Sequence, residues 1–393
     1  MKICAVIAEF NPFHNGHKYL MDEIRKLGFT HIVVIMSGNF VQRGEPAIIS
    51  KRLRVKAALL NGADAVLEMP VVWTLTSAEK YALSGVEIAG GLGCVDALAF
   101  GSECGDINCL RKTAKILESD KFFYFLKKNL STGVTFAKAR EMAVNSVSEN
   151  KNLSEYLRDP NNILGVEYIK GINKLGLDIE PITVKRLFRD TLHTYRSASE
   201  IRQMIKASDN EFKKYIPKSS CEAISKELSK GNIVHCLEYA NQSIMYNLRT
   251  TSINDIIKLS DISEGLENRI IKAAKKSICL NDFLCSVKTK RYTMSRIKRI
   301  LMCNFLGINK DIQDTSVPYI RVLGVNEKGH EILKIAKKTA SLPIVCNYSG
   351  VKKLSEKSKE VFKTECRASD LYSLFSSEIK SCGCEESFKI ITS

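Results

Sequence analysis

The sequence predicts an α/β protein: a doubly wound parallel sheet, then a mostly helical, basic region, then a small αβ unit at the C-terminus. Three observations carry this. Over the first hundred residues, short unbroken apolar runs alternate with amphipathic stretches, the pattern of strands covered on both faces by crossover helices. From about residue 211 the pattern turns helical and lysine-rich. Of the 393 residues, 45% are apolar and 26% charged, which excludes wholesale disorder and accommodates two or three domains.

Ile3–Ala8 reads as the first strand, and 17–27 as a helix with Tyr19, Leu20, Ile24 and Leu27 on one face. A strand over 31–36, a helix over 50–61, a strand over 63–67 and a helix over 77–89 follow. The next strand, 95–100, ends at Gly101-Ser102-Glu103. Right-handed crossovers make this a Rossmann-like sheet, whose ligands bind beyond the carboxyl ends of the strands. Residues 105–150 read as helical, with Phe122, Phe123, Tyr124 and Phe125 as core. A helix over 161–174, a strand over 177–184 and a helix from Ser197 close a first domain, 1–210. The second region, 211–393, ends in strands over 319–325 and 342–346 that flank a helix over 331–340. Gly90-Gly91-Leu92-Gly93 follows a helix rather than a strand, so it reads as a helix stop.

Charge separates the two regions. The net charge is +16, of which residues 1–200 contribute +4 and residues 201–393 contribute +12. A polyanion bound by the second region accounts for the excess, as does a solvated lysine-rich surface. The 13 cysteines are odd in number and scattered, which fits free thiols in a reducing compartment. Cys366, Cys382 and Cys384 lack paired C-x2-C spacing, so no metal site is expected. No apolar run approaches the ~20 residues of a membrane span, and Glu9 interrupts the N-terminal run before it can serve as a signal core. A cytoplasmic protein without membrane contact is expected.

The chemistry concentrates where the first strand ends. Glu9-Phe10-Asn11-Pro12-Phe13-His14-Asn15-Gly16-His17 places two of the six histidines three apart at a strand-to-helix junction. A helix N-terminus offers unpaired N–H groups and partial positive charge, and Gly16 lets backbone approach a phosphate. His14 and His17 can donate to the non-bridging oxygens that gain charge as a nucleophile attacks phosphorus. Later, Ser197, Ser199 and Arg202 form S-x-S-x-x-R. There Ser199 reads as a helix cap, and Arg202 as neutralising β- and γ-phosphates. No P-loop motif occurs.

His14-Asn15-Gly16-His17 resembles the HxGH signature of the nucleotidyltransferase superfamily. Arg196–Arg202 resembles its ISSTxIR signature, with Arg196 for Ile and Ala198 for a hydroxyl residue. More closely, Ala8–His17, Met36–Pro46, Phe100–Glu103, Pro160–Gly165 and Thr289–Tyr292 resemble the bacterial tRNA(Met) cytidine acetate ligases, from residue 1 to about 300. The resemblance implies an enzyme of nucleotidyltransferase fold that activates acetate with ATP to acetyl-adenylate and pyrophosphate. It then implies acetyl transfer to N4 of the wobble cytidine of elongator tRNA(Met). ATP is the implied nucleotide, with Mg2+ expected on its phosphates, and no protein partner is evident.

The resemblance also implies ATP contacts at Ile7, Ala8, Glu9, Phe10, Asn11, Pro12, Phe13, His14, Asn15, Gly16, His17, Lys18, Tyr19 and Leu20, and at Gly101, Asn161, Asn162 and Arg186. Gly101 ends a strand where a side chain would meet a nucleotide. Asn161 and Asn162 either cap a helix after Pro160 or read an adenine edge; Arg186 binds a phosphate or stacks on adenine. Ser37, Gly38, Asn39, Gln42 and Arg43, in the loop after the second strand, are candidates for holding acetate, the α-phosphate or cytidine. Lys51, Arg52 and Arg54 open the next helix, where at least one faces solvent.

In the second region Lys288, Lys290, Arg291, Tyr292, Arg296 and Arg299 form the densest basic run. Helical spacing puts Arg296 and Arg299 on a common outer face. A tyrosine among cations suits RNA, where a ring stacks on a splayed base while cations meet phosphates. Two other readings stand beside the ligase: a coenzyme adenylyltransferase acting on a small molecule, and an RNA-binding protein with an inactive nucleotide fold.

Overall fold

The structure, a computed structural model, describes residues 1–148, 151–187, 195–228, 234–263 and 265–393. Its strands are β1 (Ile3–Ala8), β2 (His31–Ser37), β3 (Ala65–Met69), β4 (Ala97–Ser102), β5 (Glu180–Lys185), β6 (Ile320–Val325), β7 (Ile344–Val345) and β8 (Ile391–Thr392), with a short hairpin of Phe40–Val41 and Glu45–Pro46 outside the main sheet. The sheet order is β8-β6-β3-β2-β1-β4-β5, and β7 pairs with the start of β6. Strands β1 to β5 are all parallel. The chain builds outward from β1 through β2 to β3, then crosses to the other side of β1 to lay down β4 and β5. The carboxyl ends of β1 and β4 therefore border the switch point, where open α/β sheets bind ligands.

Alternation along the strands divides the core. Ile3, Ala5, Ile7, Val33, Ile35 and Leu67 face the helices Ala78–Gly91 and Pro160–Leu175, burying Val86, Ile88, Val166 and Ile169. Cys4, Val6, Ile32, Val34 and Val66 face the helices Asn15–Lys26 and Lys51–Leu60, burying Met21, Ile24, Val55 and Ala58. Helices of the second region pack around Leu248, Ile270, Phe283, Ile300 and Phe375, and Phe40, Val71 and Leu75 of the first region join the same cluster. No described helix is long and apolar enough to cross a membrane.

Two expectations need correction. The C-terminal αβ unit is not separate: β6 enters the main sheet antiparallel to β3, and β8 adds to its other edge. All six residues of β6 are buried, so the strand needs a neighbour, and the open edge of β3 supplies one. The aromatic run is not all core: Phe122 is buried, while Phe123 and Tyr124 stand exposed on the Asp120–Leu130 helix. Consecutive helical residues sweep around the axis, so no single packed face can cover them all.

The C-terminal segments are joined to the sheet by buried charge. Lys51 Nζ lies 2.5 Å from Glu68, 2.7 Å from Glu385 and 3.4 Å from Glu365. Arg321 lies 2.8 Å from Glu68 and 2.6 Å from Glu385. Three carboxylates face two cations, and burial together with the other two carboxylates pushes the Glu365 carboxyl up to about 8. A group raised in the folded state stabilises it at lower pH and loses that contribution as pH rises through its folded value. Wild type should therefore lose stability as pH rises from about 5 to about 8 and level off above that, while Glu365→Gln, with no carboxyl to titrate, should lack this decline. Parallel melting curves across that range would count against a protonated Glu365.

Candidate active site

The loop after β1 is held from several sides. Phe10 and Phe13 are buried and meet edge to face at 4.8 Å; Ile7 and Pro12 are buried with them, Ala8 and Leu20 partly so. Asn11 Oδ1 accepts from Ile48 N at 2.8 Å, which makes Asn11 a strut of the loop. Asn15 Nδ2 donates to Lys214 O at 3.0 Å, and Lys18 pairs with Asp22 along its helix. Tyr19 meets Tyr195 edge to face.

His14 is the N-cap of the Asn15–Lys26 helix, and His17 is its third residue. His14 Nδ1 accepts from Gly16 N at 3.1 Å, and His17 Nδ1 accepts from His14 N at 3.2 Å. This is a capping box made of two imidazoles. An accepting Nδ1 carries no hydrogen, so each neutral ring bears its proton on Nε2. The rings stack with centroids 3.7 Å apart. Burial, with Arg186 and Arg202 nearby, pulls His14 down to about 3; burial and the neighbouring His14 hold His17 well below the ordinary range. The result is a stacked pair of neutral Nε2–H donors at a helix N-terminus.

Two arginines from distant elements converge on that pair. Arg186 follows β5; its guanidinium approaches Asn161 Oδ1 at 3.4 Å. Gly101 clears room for it, since a Cβ there would stand 3.2 Å from Arg186 Cγ. Arg202, on the Ala198–Lys206 helix, donates to Asn11 O at 2.8 Å and lies near Glu9. Ser197, not Ser199, caps that helix: its hydroxyl accepts from Glu200 N while Glu200 returns to Ser197 N. Ser199 lies exposed in the first turn. The crevice is lined by His14, Gly16, His17, Gly101, Arg186 and Tyr195, among others.

Several expected contacts are committed to the protein. Asn162 is fully buried, and its Oδ1 accepts from Glu103 N and Cys104 N at 3.0 and 3.1 Å. It fixes the loop after β4 and cannot read a base. Asn161 Nδ2 donates to Glu103 at 2.5 Å, so Glu103, which ends the Phe100–Glu103 motif but was assigned no role, organises this corner. Asn39 is buried, donates to Ser369 and accepts from Lys51 N, so it braces the fold between these segments. Ser37 is buried against Tyr81, and a Cβ on Gly38 would meet the Glu365 carboxylate. Gln42 is held on both sides, its N–H on Glu9 at 2.9 Å and its Nε2 on Thr76 O at 3.0 Å, and Arg43 beside it is exposed and lies near Glu9 and Arg202.

Sequence reasoning left Arg54 without a role. Its guanidinium is fully buried and donates to the carbonyls of Ile49, Glu9, Ser37 and Gly38. It thus ties together the chain leaving β1 and the chain leaving β2. Burial holds it down to about 10, still charged at neutral pH. Lys51 is buried as well, so of the three cations opening that helix only Arg52 faces solvent.

The basic run of the second region is largely consumed. Tyr292 is 7% exposed and packs in the helical core, which removes it as a stacking platform. Arg296 and Arg299 do share a face of the Met294–Leu306 helix, but the turn at Asp261 covers it. Arg296 donates to Asp261 O and Arg299 pairs with its carboxylate at 2.9 Å. Lys298 pairs with Glu45, and Gly44 at φ +75° sets the hairpin directly on the backbone of Lys298 and Arg299. Lys288, Lys290 and Arg291 remain exposed.

The imidazole assignment is testable. 15N spectra should show both rings as Nε2–H tautomers, His14 neutral down to about 3 and His17 neutral well below the ordinary histidine value. Titration near pH 6.5 would contradict it.

The family model described as HIGH Nucleotidyl Transferase matches residues 1–386. The tRNA(Met) cytidine acetate ligase of Thermoanaerobacter sp. (strain X514) is 42% identical over 95% of both chains. That of Clostridium kluyveri (strain NBRC 12016) is 39% identical over 96% of both. The crystal structure of Thermotoga maritima TmcAL bound with alpha-thio ATP superposes at a TM-score of 0.94 over the whole of both chains, with 34% identity. With this sheet, this histidine pair and these relatives, the chain belongs to the HIGH nucleotidyl transferases and, among them, to the tRNA(Met) cytidine acetate ligases.

Proposed function

We propose that the protein joins acetate to ATP as acetyl-adenylate and transfers the acetyl group to N4 of the wobble cytidine of elongator tRNA(Met). The observation that carries this is the pair of Nε2–H donors flanked by Arg186 and Arg202 at the sheet's switch point. An acetate oxygen attacks the α-phosphorus, and pyrophosphate leaves. His14 and His17 donate to the non-bridging oxygens as charge builds there, without reorganising, because their tautomers are set by backbone. Arg202 and the helix N-terminus take the leaving phosphates, and Arg186 lies toward the nucleotide. The cytidine amine then attacks the acyl carbon, AMP departs, and the amine proton passes to solvent.

ATP fits this corner better than a metal-centred chemistry does. Mg2+ enters with the triphosphate as part of the substrate; the crevice carboxylates Glu9 and Glu103 accept from protein N–H groups instead. Arg43, exposed and near Glu9 and Arg202, with Gln42 beside it, would meet acetate or cytidine. Lys288, Lys290 and Arg291 are the exposed cations of the basic run and would meet RNA phosphates, and a base leaving its stack reaches the crevice. A tRNA substrate puts the reaction in the cytoplasm.

The test is nucleoside mass spectrometry of unmodified elongator tRNA(Met) incubated with protein, ATP and labelled acetate. Labelled N4-acetylcytidine, absent without ATP, is expected. Adenylylation of a small phosphorylated substrate with no change in the RNA would instead favour a coenzyme adenylyltransferase. His17→Ala should lower acetate-dependent pyrophosphate exchange by at least about 100-fold, the scale of losing an oriented donor, while tRNA affinity stays near wild type. Exchange at the wild-type rate would remove His17 from the mechanism.

A further inference from the structure

Away from the histidines, a cleft of about 580 Å³ opens between the short helix Tyr348–Val351 and the long helix Glu356–Tyr372. That volume is in the range of small-ligand sites. Its floor is apolar: Val351 and Phe362 are buried, and Tyr348 stacks on Phe362 with ring centroids 5.8 Å apart. Its rim is cationic. Lys359, Lys363 and Arg367 recur every four residues along one stripe of the long helix, and Lys352 faces them with its ammonium over the Tyr348 ring at 5.1 Å. Against these stand Glu356, which pairs with Lys359 at 2.8 Å, Asp370, already accepting from Gly383 N, and Glu386.

The position is as informative as the lining. The opposite face of the long helix carries Glu365, whose carboxylate accepts from Val71 N just past β3 and lies against Gly38 just past β2. The helix therefore lies across the carboxyl ends of the strands, the same end of the sheet as the histidine crevice. Arg367 also donates to Gly307 O, at the end of the Met294–Leu306 helix that follows the exposed cations Lys288, Lys290 and Arg291. An aromatic and apolar floor under a ring of cations suits one unstacked nucleotide: the base enters against Tyr348 while its phosphate draws Lys352 off the ring.

We propose that this cleft holds a splayed nucleotide of the RNA substrate, outside the base that is acetylated, and so anchors the RNA across the carboxyl end of the sheet. The proposal rests on the RNA reading given above. It predicts that Lys352→Glu/Lys363→Glu raises KM for tRNA at least tenfold, with kcat and RNA-independent, acetate-dependent pyrophosphate exchange unchanged. The salt dependence of tRNA binding should flatten by about one unit of slope for each phosphate no longer neutralised. Tyr348→Leu should raise KM for tRNA with the salt slope kept, because a stacked base releases no counterions. Intact pyrophosphate exchange in both variants reports a folded first region. A wild-type KM for tRNA in both would overturn the proposal, as would a change confined to KM for ATP or acetate, which would assign the cleft to a small anion. Failure of the RNA reading looks different, since wild-type protein would then acetylate no tRNA at all.

Discussion

Two cations at the start of one helix, Lys51 and Arg54, are buried where a lone charge would cost several kcal/mol. Their partners therefore constrain everything around them. Arg54 collects carbonyls from the ends of β1 and β2, which sets where those strands release their loops. Lys51 takes the carboxylates of Glu68 and Glu385 and the carboxyl of Glu365, which come from a central strand, the last segment of the chain and the long C-terminal helix. Arg321 completes the cluster from β6, its guanidinium lying over the rings of Phe362 and Phe388. The C-terminal third is thus built into the sheet through charge that only the assembled fold can satisfy.

That constraint reaches the chemistry. With the ends of β1 and β2 tied by Arg54, the loop 9–14 has a fixed frame, and the helix after it starts at one defined residue. The imidazole capping box then ties helix initiation to the geometry proposed for catalysis: the same hydrogen bonds that satisfy Gly16 N and His14 N put the remaining proton of each neutral ring on Nε2. Arg186 and Arg202 complete the site from β5 and the Ala198–Lys206 helix, so the donors and the cations rest on different supports. Oriented donors in a buried setting stabilise developing charge better than mobile ones, since nothing has to reorganise as the reaction proceeds.

Local features of this arrangement were legible in the sequence. The parallel sheet showed in the apolar runs, and the histidine pair showed because strand, turn and helix are adjacent along the chain. Features closed by distant residues were not. Lys51 could not be told apart from a solvent-facing neighbour because Glu365 and Glu385 lie more than three hundred residues away. Arg296 and Arg299 looked like an RNA-facing stripe because nothing local shows that the Asp261 turn covers them. Asn161 and Asn162 were marked by resemblance to a motif, yet Glu103 gives them their roles, and a single carboxylate after a strand carries no signal of its own. The antiparallel insertion of β6 was hidden for the same reason: strand order follows tertiary packing, not sequence order.

The central claim is that the crevice makes an acyl bond to the α-phosphate of ATP. The most direct measurement is the fate of oxygen from doubly 18O-labelled acetate, followed by mass spectrometry during turnover with ATP and tRNA. Attack by the carboxylate at the α-phosphorus leaves one acetate oxygen on that phosphorus when the cytidine amine takes the acetyl group. AMP should therefore carry one 18O and pyrophosphate none. Label in pyrophosphate or inorganic phosphate, or unlabelled AMP from a reaction that acetylates RNA, would contradict the adenylate route.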